Sequence, residues 1–182
     1  CAKSMEQKSE IIRCMITQKS RRYMETGIWN MLSIKEYQDF YQRLVDVSST
    51  KFKVHYSCLQ VENTVVATHV GITDNSTFFY LMPANESDDW KKYSPGRLLL
   101  LKLIEWSINN KLKHFDFTIG DEAYKKDWCN IETDLFETLN ANSPLGIFYI
   151  KMFNLKGNIK GMPQITNLLK VFRKYHCIFQ CV

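Results

Sequence analysis

Three consecutive stretches constrain this chain more than any other feature: TFFYLMP at 77–83, SPGRLLLLKLIEWSINN at 94–110 and KHFDFT at 113–118. They read as strand, helix and strand, and a crossover of this length sets the second strand parallel to the first, right-handed, in one sheet. Upstream, FKVHYSCLQV (52–61) and TVVATHVGIT (64–73) alternate with period two. Glu62 and Asn63 fit a tight hairpin between them, and Asp74 with Asn75 marks a second turn. A meander that feeds a crossover predicts an α/β fold with a mixed central sheet flanked by helices. Apolar residues run almost round the whole circumference of the crossover helix, which predicts that it is buried.

The flanks read less sharply. Ile11, Ile12, Met15 and Ile16 recur at helical spacing within 4–25, with Gly27 as a stop. Ser33 with Glu36 predicts a capping box for a second helix, whose stripe is Tyr37, Phe40, Tyr41, Leu44 and Val45. Downstream, LFETLN (135–140) reads as a strand, Ser143 and Pro144 open a helix, and Ile165, Leu168, Leu169, Phe172 and Phe179 outline a final amphipathic helix. One domain over 1–182 is expected: leading helices at 1–50, sheet and anion-binding helix at 51–140, and a basic helical tail at 141–182.

Composition excludes several classes. At 45% hydrophobic and 24% charged over 182 residues the chain is globular, with material for a core. It has no apolar run of roughly eighteen residues and no secretion-signal start, so a cytoplasmic location is expected. Its six cysteines are scattered without a CxxC spacing, which favours reduced thiols. His176, Cys177 and Cys181 lack a further ligand at suitable spacing, so no metal is expected. The net charge is +5, and Lys151, Lys156, Lys160, Lys170, Arg173 and Lys174 follow Glu137 with no acidic residue among them. Such a tail attracts phosphate, anionic lipid or acidic polymer, or forms a solvated helix face.

The start of the crossover helix is a candidate anion site. Ser94 can cap it and Pro95 can occupy the first turn without losing a bond. The amides of Gly96, Arg97 and Leu98 then point outward at the positive end of the helix dipole, and Gly96 carries no side chain to block a ligand. Lys91, Lys92 and Arg97 add positive charge. Ser143 and Pro144 repeat the pair without these neighbours, so the Ser-Pro dipeptide alone distinguishes nothing.

YLMPANESDDWKKYSPGRLLLLKLIEWSI followed by FDFTIGDEAYKKDWC resembles the CelD-like acetyltransferases, a branch of the GNAT superfamily related to the Fem peptidyltransferases. Weaker similarity continues through QKSRRYMETGIWN (18–30) and VVATHVG (65–71). The resemblance implies a GNAT-like acyl-CoA N-acyltransferase fold, in which two central parallel strands splay and a thioester lies between them. The diphosphate would rest on Ser94, Gly96, Arg97 and Leu98. Tyr93 and Leu98 stand where the superfamily's phosphate loop has a basic or amide residue and a small one. CelD-like chains are about twice this length, and this one resembles their carboxyl-terminal lobe.

Acyl transfer needs a base, oxyanion donors and a proton for the leaving thiolate. Just past the strand end, Asp121 or Glu122 can be the base, Tyr124 can protonate sulfur, and Lys125 can hold the oxyanion or an anionic acceptor. The related Fem enzymes use a lysine of the matching Tyr-Lys pair in handling substrate, which the resemblance carries to Lys125. The alternative is a short helix begun by Asp121 and Glu122, with Tyr124 and Trp128 packed together. His69 shares a strand face with the small residues Ala67 and Gly71, and reads either as a second base or as a core histidine. Asp116 reads as structural or substrate-orienting.

The leading expectation is therefore transfer of an acyl group, acetyl from acetyl-CoA, to nitrogen or oxygen of a polysaccharide or cell-envelope precursor. Fem-like transfer from a charged tRNA is an alternative, and a tail bound to an anionic membrane surface is another. No DNA partner is expected.

Overall fold

The computed structural model describes residues 1–120, 122–136, 141–158 and 175–180. Helix α1 spans Met5–Thr26, closed at its start by a reciprocal Ser4–Gln7 capping box and at its end by Gly27 at φ 65°. Helix α2 spans Lys35–Arg43. Strands β1 (Lys53–Val61), β2 (Thr64–Thr73) and β3 (Thr77–Asn85) follow, then α3 (Pro95–Asn109) and β4 (His114–Ile119). Strand β5 (Ile131–Asp134), helix α4 (Pro144–Asn158) and strand β6 (Tyr175–Gln180) complete the described elements.

Six strands form one mixed sheet in the order β1-β2-β3-β4-β6-β5. The first three are antiparallel, and β4 lies parallel to β3, as the crossover requires. Alternation along the strands divides the core between the two faces. On one, Ile11, Ile12 and Met15 of α1 pack with Tyr56, Val70 and Ala84. On the other, Leu99, Leu100, Leu103 and Ile104 of α3 cover Ala67, Phe78, Tyr80, Phe115 and Phe117.

Several elements differ from the sequence expectation. Ser33 does not cap α2: its hydroxyl donates to Asn30 O, and Ile34 takes the cap position without a side-chain bond. Among the described residues helix α3 is covered on one side only, with Leu98, Leu101 and Ile108 exposed, so its nearly continuous apolar circumference overstated its burial. A strand lies at Ile131–Asp134, just ahead of the one expected at 135–140; Leu135 and Phe136 are not in a strand, and 137–140 lie outside the described residues. Phe179 sits in β6, which pairs antiparallel with β4 and β5, so the end of the chain adds a strand and not only helices. A six-residue aromatic run reads equally as strand or helix until a partner edge decides it. Ile165, Leu168, Leu169 and Phe172 of the expected final helix lie outside the described residues.

No helix among the described residues is long and apolar enough to cross a membrane. Among the described residues, Cys1, Cys14, Cys58 and Cys129 are not in disulfides. Among the described residues no group of three or more His, Cys, Asp or Glu side chains is arranged to hold a metal ion.

Candidate active site

The sheet opens between its two parallel strands. Thr77, Phe78 and Phe79 of β3 pair with His114, Phe115 and Asp116 of β4, and the pairing ends there although β3 continues to Asn85. Two irregularities coincide with this point. Between the Ile72–Phe79 and Val70–Met82 pairs, β3 carries one residue more than β2, a bulge at Tyr80 and Leu81. On β4 the register with β6 shifts between Asp116 and Ile119. From Tyr80 onward β3 therefore presents a backbone edge that β4 has left.

Helix α3 begins beside the far end of that edge. Ser94 holds the cap position in a left-handed conformation, φ 49° and ψ 52°, and its side chain makes no cap bond. The amides of Arg97 and Leu98 both donate to Ser94 O, at 3.0 and 3.1 Å, so these two are not free as the sequence suggested. The amide of Gly96 makes no hydrogen bond among the described residues. At α4 the same dipeptide behaves differently, because Ser143 Oγ accepts from Gly146 N at 3.1 Å. A Cβ on Gly96 would stand 3.0 Å from Asn85 Oδ1, so the missing side chain also lets the end of β3 approach the helix start.

Across the opening, the segment after β4 folds into a short 3-10 turn, Ala123–Asp127. Lys125 is buried at 3% exposure and its ammonium reaches Ile119 O at 3.2 Å, Thr118 O at 3.5 Å and Glu122 Oε2 at 2.8 Å. Three acceptors match the three N–H donors of an ammonium. Lys125 thus braces the turn and has no donor left over for an oxyanion. Glu122 stands at the mouth, its side chain 55% exposed, with one carboxylate oxygen fixed by Lys125. Tyr124, 40% exposed, sets its ring edge-on to Phe117 at 6.5 Å. Asp121 lies outside the described residues.

The two sides touch through Arg97, whose guanidinium lies 5.5 Å over the Trp128 ring. His69 is not at the surface of the opening. It is fully buried, stacked on Tyr80 at 4.6 Å and on Phe78 at 5.4 Å, and neither ring nitrogen has a hydrogen-bond partner among the described residues. The space expected beside it at Gly71 is filled by its own ring, since a Cβ there would lie 2.5 Å from His69 Cε1. Burial, with nearby His55 and Lys19, holds its pKa well below the usual range, so the ring is neutral.

Sequence reasoning missed three residues here. Tyr80, buried between His69 and Phe117, occupies the first β3 position past the last parallel pair, and burial, then Tyr124, raises its phenol pKa. Lys19 of α1 donates to Pro83 O at 3.0 Å; burial lowers its pKa and Glu122 opposes that shift. Its only sequence signal was membership of QKSRRYMETGIWN. Thr118 has φ 59° and gave no signal.

Among curated proteins none matches the chain significantly. Among solved structures the chain is similar to the crystal structure of a GNAT family acetyltransferase from Elizabethkingia anophelis with acetyl-CoA bound, with 14% identity, 81% of this chain and 84% of that one covered, and a TM-score of 0.38. The family model described as "Acetyltransferase (GNAT) domain" matches residues 3–126, well over half of the chain, and on that match the chain belongs to the GNAT acetyltransferases.

Proposed function

We propose that the chain transfers acetyl from acetyl-CoA to an amine or hydroxyl of a polysaccharide or cell-envelope precursor, as a CelD-like member of its family. The observation that carries the acetyl-CoA part is the pairing of β3 with β4 that ends at Phe79 and Asp116, beside a helix start whose Gly96 amide makes no hydrogen bond among the described residues. An open strand edge binds an extended ligand that carries amides, and the pantetheine arm of coenzyme A has two. A helix start with an outward amide binds a diphosphate. The acceptor class rests on the resemblance of FDFTIGDEAYKKDW to the CelD-like enzymes.

In this reading the acceptor nitrogen or oxygen attacks the thioester carbonyl and Glu122 takes its proton. Lys125 orients that carboxylate. Backbone N–H groups at the Tyr80–Leu81 bulge face the developing oxyanion, and Tyr124 protonates the departing thiolate, giving free coenzyme A and an acetylated acceptor. Charged-tRNA or membrane binding through the basic tail depends on Lys160, Lys170, Arg173 and Lys174, which lie outside the described residues.

Titration calorimetry with acetyl-CoA tests the donor. Saturable binding that weakens at least tenfold in Gly96→Val is expected. No heat of binding, or an isotherm indifferent to that substitution, rejects the assignment. Release of free thiol on adding amino sugars or neutral sugars, one at a time, then separates N- from O-transfer.

A further inference from the structure

Thr118 combines three features that an ordinary strand residue lacks. It is β-branched yet sits at φ 59°, in the left-handed region that such side chains adopt only under constraint. It lies two positions beyond the last β3–β4 pair, inside the register shift between β4 and β6. It is held from both sides: its N–H donates to Asp116 Oδ1 at 2.6 Å, while Lys125 draws Thr118 O and Ile119 O to one ammonium. Gly120 follows at φ 140°, a conformation that only glycine adopts readily, and completes the change of direction. The Thr118 hydroxyl still reaches Tyr80 O at 3.4 Å, a long contact where a continuing ladder would have placed a backbone bond.

We infer that Thr118 is a positioning residue for acyl transfer, whose left-handed backbone, clamped by Asp116 and Lys125, turns β4 away from β3 and forms the opening the acyl donor enters. The inference rests on the reading of that opening as the acyl-CoA cleft. It assigns the work to the backbone at 118 and not to the hydroxyl. Asp116 and Lys125 act through it: one fixes the N–H ahead of the turn, the other the carbonyls behind it. The strain persists because these bonds overdetermine the conformation.

Thr118→Gly and Thr118→Pro separate backbone from side chain. Glycine adopts a positive φ without cost, whereas proline is fixed near −65° and has no N–H for Asp116. In calorimetric titration, Thr118→Gly is expected to bind acetyl-CoA within about twofold of wild type, and its melting temperature to rise by about 2–4 °C as strain is released. Thr118→Pro is expected to bind at least tenfold more weakly. A tenfold loss in Thr118→Gly would make the hydroxyl the essential group and overturn the inference, as would wild-type affinity in Thr118→Pro. If Thr118→Pro does not fold, Thr118→Gly decides alone, because retained affinity with a raised melting temperature is not what a merely supportive side chain gives. A wild-type chain that does not bind acetyl-CoA overturns the functional reading and this role together; binding by wild type and both variants alike overturns this role only.

Discussion

His55 and His69 lie with ring centroids 6.4 Å apart in an aromatic setting, His55 against Trp106 at 4.5 Å and His69 against Tyr80 at 4.6 Å. Burial lowers the pKa of His55 from 6.5 to about 4, and holds that of His69 well below 6.5. The unfolded chain therefore takes up protons below pH 6.5 that the folded chain refuses. Their contribution is fully present above pH 6.5 and is lost as pH falls from there toward 4, by about 1.4 kcal/mol per pH unit for each histidine. Denaturant melts between pH 7.5 and 4.5 should show this slope, roughly halved in His55→Phe. A flat profile over that range would mean that both rings are accessible to protons in the folded state. The residue scale was also the least legible in the sequence. His69 was correctly placed on one face with Gly71, but only packing shows that its own ring fills the space. Lys125 was singled out through the Tyr-Lys pair, yet its burial could not be foreseen, because lysine is seldom buried without partners. Those partners, two backbone carbonyls and Glu122, come together only once the turn exists.

Elements were read best where the pattern is local. The hairpin of β1 and β2, the turn into β3, and the α3 crossover to β4 all stand where alternation and helical spacing placed them, because each depends on neighbours in the chain. The missed strands are non-local: β6 is a strand through pairing with β4 and β5, and β5 through pairing with β6. Helix α3 shows a subtler limit, for a run of four leucines does not tell which of them meet the sheet. Leu99 and Leu100 are buried, while Leu98 and Leu101 are nearly half exposed, at 48% and 47%. Leu100→Ala should therefore cost about 2–5 kcal/mol in chemical denaturation, and Leu101→Ala within about 0.5 kcal/mol. Equal losses at both positions would mean that another part of the chain covers the outer face of α3. The cap of α3 was misread in an instructive way. The Ser-Pro signature is the same at both helices, but Ser143 Oγ accepts from the Gly146 amide at α4, whereas at α3 the Ser94 backbone is left-handed, its hydroxyl makes no cap bond, and the corresponding Arg97 amide bonds to Ser94 O.

At the scale of the whole molecule, the sheet carries two kinds of connection with opposite consequences. The meander of β1, β2 and β3 is closed and well paired, with α1 packed on one face and α3 on the other. The parallel pair at its centre is short by design of the sequence after Asp116, where a strained threonine, a glycine and a buried lysine bend β4 away. The general fold could be anticipated from the crossover, and membership of the GNAT acetyltransferases from FDFTIGDEAYKKDW. The opening itself could not, since it follows from a bulge on one strand and a left-handed turn on the other. Its two walls, the edge of β3 from Tyr80 and the turn at Glu122–Trp128, converge on the start of α3, where Arg97 meets Trp128. A crystal structure of the chain with acetyl-CoA tests this arrangement most directly. The account predicts the diphosphate on the Gly96 amide, the pantetheine arm along Tyr80–Asn85, and the thioester within hydrogen-bond reach of the bulge and near Glu122 and Tyr124. Acetyl-CoA bound elsewhere, with β3 and β4 paired along their full length, would contradict it.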